Sequence, residues 1–354
     1  MRELIRQRSA DTAMRPLIRS AVSIGAHVSG FSRLVAARYR GRGMIFALHS
    51  VVDDDTFYPD QTLRCPARQL EWGLRWLKDD GLDFVTLDEA VRRLDGGNPR
   101  PFACFTFDDG YADNFTRVLP IMEKFEAPFT VFVTTGMITR EIDAWWFGLA
   151  DLVRSHDRIE LPAPRLRFEC PDPASKRLAF KSIETLVHKD FGLLPHLRQA
   201  IANSTIDCRA LVDREALTPD ELRRLARHPL ATIGGHTTTH ANLMQLSAAG
   251  VQREMAENRR FLQDATGQPV EHFAYPFGHE RACGEREARI SREVGFRTAV
   301  TTRAGALFAE HAHDLHALPR ICLASDDTSS TLRCKVDGVY RAIHSRFGNP
   351  VARM

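Results

Sequence analysis

The sequence predicts an α/β fold in which short parallel strands alternate with helices. Two observations carry this prediction. Apolar, β-prone runs of about four to six residues alternate with amphipathic stretches of three-to-four spacing. The carboxylate pair Asp108-Asp109 and the histidine pair that opens at His236 follow the ends of such runs, where βα barrels keep their active groups. A chain of 354 residues is long for one domain, but α/β barrels reach this size.

Taken in order, residues 14–38 place Leu17, Ile18, Ala21, Val22, Gly25, Val28, Phe31 and Val35 among arginines and read as an amphipathic helix. That helix either packs on the barrel or meets an anionic membrane surface. Gly41-Arg42-Gly43 breaks the pattern, and Met44–Leu48 is a buried strand that delivers His49. Residues 66–78 read as a helix, Phe84–Leu87 as a strand, and Asp88 as the cap of a helix over Glu89–Leu94. Residues 103–108 form a strand, 113–125 a helix kinked or broken at Pro120, and Phe129–Val133 another strand. From about 138 to 218 the chain is Arg-rich with few strand signals, and reads as a largely helical insertion. Its Trp145-Trp146 pair either lines a substrate groove or packs in a core.

Thr218 and Pro219 open the next helix as cap and first residue. Ala231–Gly235 is a strand leading to two histidines. A helix over 248–265, a strand Val270–Tyr275, a helix Arg286–Glu293, and strands Arg297–Thr301 and His316–Ile321 follow. The expected organisation is a basic extension over 1–43, a barrel over 44–323 with its helical insertion, and a C-terminal tail or helix over 324–354.

The net charge of +3 hides an asymmetry: residues 1–43 hold nine arginines and two acidic residues, net +7, which leaves the body at −4. Such a body is not a nucleic-acid binder on charge grounds. The seven cysteines stand singly, odd in number and without a Cys-x-x-Cys pair, which argues against a disulfide framework or structural zinc and for a reducing compartment. No secretory signal peptide and no transmembrane-length apolar stretch is recognisable, so a cytoplasmic location is expected, possible recruitment to the inner membrane face included.

Phe105-Thr106-Phe107-Asp108-Asp109-Gly110-Tyr111 is the most informative run. It delivers two adjacent carboxylates to the end of a strand. Downstream, His236-Thr237-Thr238-Thr239-His240 spaces two histidines at i and i+4. One aspartate and two histidines can make three ligands of an open metal site, leaving the other aspartate as a base. A third element, Phe273-Ala274-Tyr275-Pro276-Phe277-Gly278, follows in order. Together these resemble the polysaccharide deacetylases of the NodB-homology type (carbohydrate esterase family 4), over roughly Met44 to Leu323.

The resemblance implies a distorted (β/α) barrel and a metal held by Asp109, His236 and His240, zinc first among Zn²⁺, Co²⁺, Ni²⁺ and Mn²⁺. It implies Asp108 as general base and the Phe277 N–H as donor to the developing oxyanion. For the general acid, Leu48-His49-Ser50-Val51 looks like the motif of the circularly rearranged branch, while His316 is the nearest match to the usual C-terminal histidine; His49 is preferred. The third motif lacks its customary arginine, and Arg320 on the last strand is the candidate to pair with Asp108. Tyr111 and Tyr275 are substrate contacts by position, as are Asn114, Asn242 and His279.

The implied activity is removal of N-acetyl groups from an N-acetylglucosamine-containing oligo- or polysaccharide, a chitooligosaccharide being the nearest named substrate. The alternatives are O-deacetylation of an exopolysaccharide, hydrolysis of small amides on the same fold, and carbohydrate binding without catalysis.

Overall fold

The computed structural model describes residues 23–53, 57–60, 63–96, 100–162 and 165–354. Its strands are β1 Gly43–Leu48, β2 Ser50–Val52, β3 Arg64–Pro66, β4 Asp83–Phe84, β5 Phe102–Phe107, β6 Phe129–Val133, β7 Arg158–Leu161, β8 Leu166–Glu169, β9 Ala231–Gly235, β10 His272–Ala274, β11 Thr298–Val300 and β12 Ile321–Cys322. Eight of them form one sheet in the order β11-β10-β9-β6-β5-β1-β12, with β4 pairing on β5. Every pairing within it is parallel. Ile45, Cys104, Phe132, Ala274 and Val300, from strands spread across the sheet, meet in a single cluster, so the sheet curls into a distorted barrel.

Strand parity separates two cores. Met44, Phe46, Ala103, Phe105, Phe107, Phe273 and Tyr275 face the outer helices and share the larger core. Phe102 and Cys104 face the interior. Thr106 continues their row and Asp108 comes next in it, because successive strand residues point to opposite faces. Parity therefore aims Asp108 into the barrel.

Several local expectations are corrected. The helix expected over 14–38 is broken: residues 23–28 are helical, and a separate helix spans Phe31–Tyr39. Gly30, with φ 75°, makes the break; residues 14–22 lie outside the described residues. Val35 and Tyr39 pack on Cys334, Val339 and Ala342 of the C-terminal helices Ser329–Val336 and Val339–His344. The cap at 88 moves to Thr86, whose hydroxyl accepts the Glu89 N–H at 3.1 Å, while Asp88 pairs with Arg297. Over 113–125 a π-helical turn, Asn114–Val118, precedes a helix Leu119–Lys124 with Pro120 at its start, where a missing N–H costs nothing. The expected strand over His316–Ile321 shortens to Ile321–Cys322, since Pro319 has no N–H for a ladder.

The insertion is mostly helical, with Trp145–Ser155, Pro173–Lys189, Leu194–Asn203 and Cys208–Glu215. It also contains the antiparallel pair β7–β8. Ile159 and Leu161 of that pair point into a separate small core with Trp145, Leu149 and Ile183. Its last helix returns to the barrel: the Ala112 N–H donates to Glu215 O at 2.8 Å, and the Leu217 N–H to Gly110 O at 3.0 Å. The insertion is thereby hydrogen-bonded to the turn that follows the two aspartates.

Candidate active site

Register brings the first two groups together. Leu48 of β1 lies opposite Phe107 of β5, and the Asp108 N–H donates to Leu48 O at 2.9 Å. The next residues, His49 and Asp108, consequently share one strand-end ledge, with His49 Nε2 4.0 Å from Asp108 Oδ2.

Asp108 is buried against Arg320. The guanidinium donates Nη1 to Oδ1 at 2.7 Å and Nη2 to Oδ2 at 2.6 Å. Arg320 is itself fixed by Nε to Thr301 O at 2.9 Å and by Nη1 to Thr106 Oγ1 at 3.1 Å. Burial alone would raise the Asp108 pKa, but Arg320 together with His236 and His49 outweighs it and holds the carboxyl below its ordinary value. Asp108 is therefore a buried carboxylate kept ionised by a fork that fits it in two places.

Asp109 turns the other way. It has φ 77°, in the left-handed region, and so leaves the strand pattern. Its Oδ1 lies 3.4 Å from His236 Nε2 and 3.3 Å from His240 Nε2. His236 follows β9, its N–H bonding to Val133 O at 3.1 Å, and its Nδ1 donates to Ala274 O at 2.7 Å. That bond turns Nε2 towards Asp109; burial opposes protonation of the ring, but Asp109 and Asp108 outweigh it and raise the His236 pKa. Asp109 Oδ1 and His240 Nδ1 are buried without a hydrogen-bond partner. Burial opposes ionisation of Asp109, yet the three histidines hold it well below the usual carboxylate range. Burial also drives His240 down to about 4, so its ring is neutral at pH 7. Two imidazole nitrogens and an orphaned carboxylate oxygen, all within 4.8 Å of one another, are a donor set suited to a divalent cation with positions left open.

The loops around this centre are held in sparsely populated backbone conformations. Besides Asp109, the non-glycine residues Thr237, His240 and Phe277 have φ of 65°, 56° and 62°. Such residues persist only where surrounding structure enforces them. Asn258 supplies much of that enforcement, and sequence reasoning missed it. Its Oδ1 accepts the His236 N–H at 3.1 Å, and its Nδ2 donates to Val133 O at 2.9 Å and Thr237 O at 2.6 Å. Gly235 makes room for it, since a Cβ there would stand 2.6 Å from Asn258 Oδ1. A signal existed: on the helix Ala248–Thr266 the buried side includes Val251, Met255, Asn258 and Leu262, one polar residue in an apolar stripe. Glu254, one turn earlier, accepts the Thr238 and Thr239 N–H groups at 2.9 Å each.

The other candidates are distributed unevenly. The Phe277 ring lies 4.9 Å from the His240 ring and the Trp146 ring lies 5.4 Å from it, so the insertion reaches the site. Trp145 is instead buried in the insertion core. His316 stands apart from Asp108, with Nδ1 3.2 Å from Ser291 Oγ and a pKa driven to about 4 by burial. Tyr275 is corrected outright: its side chain is fully buried among the outer helices and its hydroxyl donates to His316 O at 2.9 Å, so it touches no substrate. Tyr111 is likewise buried, stacked beneath Arg64, and offers a glycan no surface. Asn114 serves the scaffold, donating to His49 O at 2.9 Å.

Comparison with known proteins agrees with this geometry. Residues 95–299 match the polysaccharide deacetylase family. A Bacillus subtilis (strain 168) protein named as a polysaccharide deacetylase, YxkH, is 21% identical over 280 residues, covering 78% of this chain and 72% of that protein. The poly-beta-1,6-N-acetyl-D-glucosamine N-deacetylase of Escherichia coli K12 is 28% identical over 124 residues, which is 30% of this chain and only 18% of that enzyme. Among solved structures, the Streptococcus pyogenes deacetylase PplD, in complex with acetate, superposes with a TM-score of 0.55 at 17% identity, covering 84% of this chain and 97% of PplD. IcaB of Ammonifex degensii gives 0.52 at 16% identity, covering 84% and 97%. These structural likenesses speak to the fold, and the family match spans more than half of the chain. With its two aspartates, two histidines and the curled parallel sheet that presents them, the chain belongs to the NodB-type polysaccharide deacetylase family.

Proposed function

We propose that this protein hydrolyses N-acetyl groups from a polysaccharide containing N-acetylglucosamine, with a divalent metal, zinc by preference, held by Asp109, His236 and His240. The observation that carries the reading is the pairing of a buried, ionised Asp108 with that adjacent ligand set. The substrate class is supported by the name of the E. coli relative, which matches about a third of this chain.

A metal on this set would polarise the acetyl carbonyl and make a neighbouring water more acidic. Asp108 takes the proton from the attacking water, and Arg320 keeps its carboxylate ionised and aimed. His49, 4.0 Å from Asp108 and partly open to solvent, gives a proton to the departing amine. The Phe277 N–H is assigned to the oxygen that gains charge, in a loop held at positive φ; one such donor is worth about 3–4 kcal/mol in the transition state. Trp146 and Phe277 flank His240 and shield the centre from water.

Acetate release from chitin oligomers and from poly-β-1,6-N-acetylglucosamine tests the reading. Release by metal-loaded wild type, lost on chelation, restored by zinc and lost in Asp108→Asn, is the expected result. Release only from O-acetylated glycans, or only from small amides, would overturn it in favour of those activities.

We also propose peripheral contact with an anionic membrane through residues 14–38. It is supported by the +7 charge of residues 1–43 and by Val28 and Leu34, 78% and 77% exposed. Val28→Asp with Leu34→Asp should abolish cosedimentation with phosphatidylglycerol vesicles; unchanged cosedimentation would refute the contact.

A further inference from the structure

A second charged concavity opens beside the catalytic loop. It has a volume of about 690 Å³ and is walled by the loop after β10, the loop after β11, the helix Val339–His344 and the C-terminal residues. Arg281, Arg303, Arg341 and Arg353 line it, with Glu280 as the one carboxylate.

The arginines are not an ordinary solvated face. Surface arginines elsewhere in this chain commonly pair with carboxylates, as Arg117 does with Asp53 and Arg297 with Asp88. None of these four makes an ion pair among the described residues. Two are fixed by backbone carbonyls instead. Arg303 donates to Arg353 O at 2.8 Å and Cys283 O at 3.0 Å, and its Nε is buried without a partner. Arg341 donates to Val351 O at 2.9 Å, Pro350 O at 3.2 Å and Asn349 O at 3.3 Å. Carbonyls orient a guanidinium without neutralising it. The result is a preorganised field that attracts anions, presented by side chains whose planar forks suit carboxylate or phosphate oxygens.

The concavity and the candidate active site share the loop after β10. The His240 ring contacts Phe277 at 4.9 Å, and the Phe277 ring lies 6.4 Å from His279, which lines the basic wall. Gly278 lets the two loops meet: it has φ 60°, and a Cβ there would stand 2.5 Å from the Thr302 N. Thr302 Oγ1 in turn donates to Phe277 O at 2.7 Å.

We infer that the basic concavity is a subsite for an acidic group, carboxylate or phosphate, carried by the same glycan, so that the preferred substrate is an anionic rather than a neutral polysaccharide. This rests on the deacetylase reading above for the position of the acetyl group, but its test does not need turnover.

The test is calorimetric binding to the full-length, metal-loaded protein of two probes of equal length: a hyaluronan hexasaccharide, which alternates uronate with N-acetylglucosamine, and neutral chitohexaose. Wild type should bind the acidic probe at least tenfold more tightly, with the preference shrinking between 50 and 500 mM salt. Arg281→Gln with Arg353→Gln, whose side chains make no hydrogen bond among the described residues, should erase most of that preference. Circular dichroism and Tm verify that the variant is folded. Equal affinity for the two probes, or a preference unchanged in the variant, would overturn the subsite. A glucosamine oligomer bearing phosphate distinguishes phosphate from carboxylate as the favoured group, and either supports the inference. Charge-selective binding without acetate release from any glycan would refute the deacetylase reading and leave the subsite standing; acetate release with charge-blind binding would do the reverse.

Discussion

Arg320 and Asp108 meet through two parallel hydrogen bonds of 2.7 and 2.6 Å between side chains that are both buried, although 212 residues separate them in sequence. The pair joins the last strand to the motif strand, and it sets both the charge and the aim of the proposed base.

Arg320→Lys keeps the charge but loses the fork and the bonds to Thr106 and Thr301. Its kcat should fall by about 100-fold or more, as expected when a general base is misplaced. The Asp108 pKa is depressed in the native protein, so the acidic limb of kcat/KM lies below the ordinary carboxylate range and should move upward in Arg320→Gln. A depressed carboxylate contributes stability above its unfolded pKa, and that contribution disappears as pH falls through the folded value. The stability deficit of Arg320→Gln should therefore reach about 3–5 kcal/mol near neutrality and shrink towards pH 4 and below. A pH–rate profile coincident with wild type would show that Arg320 does not govern Asp108.

Metal should stabilise the fold, because Asp109 Oδ1 is buried without a hydrogen-bond donor and faces two imidazole nitrogens. Zinc at about 100 times its Kd should add roughly 2.7 kcal/mol, read as a rise in Tm. His240→Ala should remove most of this response while retaining the fold, since His240 lies at a loop rather than in a core. Elemental analysis of chelated and reconstituted protein gives the stoichiometry, and the same Tm response in wild type and in a His236→Ala, His240→Ala double variant would exclude this set as the site.

Asn258 acts on the metal ligands through the backbone. Asn258→Ala deletes three hydrogen bonds to buried groups, those of His236, Val133 and Thr237. Stranding those groups should cost about 2–4 kcal/mol of stability. Loss of the support behind a ligand should also weaken metal binding by about 10- to 100-fold. The two effects separate by measuring zinc affinity with a competing chelator at a temperature where the variant is folded. A destabilised variant with unchanged zinc affinity would make Asn258 merely structural.

What was legible in the sequence is what consecutive residues determine. Asp108, Asp109, His236 and His49 lie at the ends of apolar runs, and a parallel sheet brings such ends to one side. Tyr275 stands next to the third motif in sequence, but strand parity places it with Phe273 on the outer face, away from the site. The β7–β8 pair is hard to read because each strand is only four residues long, with Ile159 and Leu161 facing Phe168 and Leu166 while arginines and glutamates alternate with them. Arg320, expected on the last strand as the partner of Asp108, is found pairing with it, whereas the basic concavity has no signal in consecutive residues, since its walls come from four separate segments.

Asp113 lies behind His49 and provides a test in which the pH dependence has the opposite sign. It accepts from the Ser50 hydroxyl and from the Val51 N–H at 3.0 Å, with Arg64 and Glu215 as the neighbouring charges. Burial raises it to about 6, despite the favourable bonds and Arg64. A carboxyl whose folded pKa exceeds its unfolded value binds more protons in the native state, so its contribution to stability falls as pH rises from about 4 to 6 and stays low above that. The loss should be roughly 1–3 kcal/mol. Asp113→Asn carries no such titration. Its stability relative to wild type, from urea midpoints, should therefore improve by that amount between pH 4.5 and pH 8. If the difference between the two proteins were constant across this range, or widened with pH, Asp113 would be ionised in the fold and Arg64 rather than burial would dominate it.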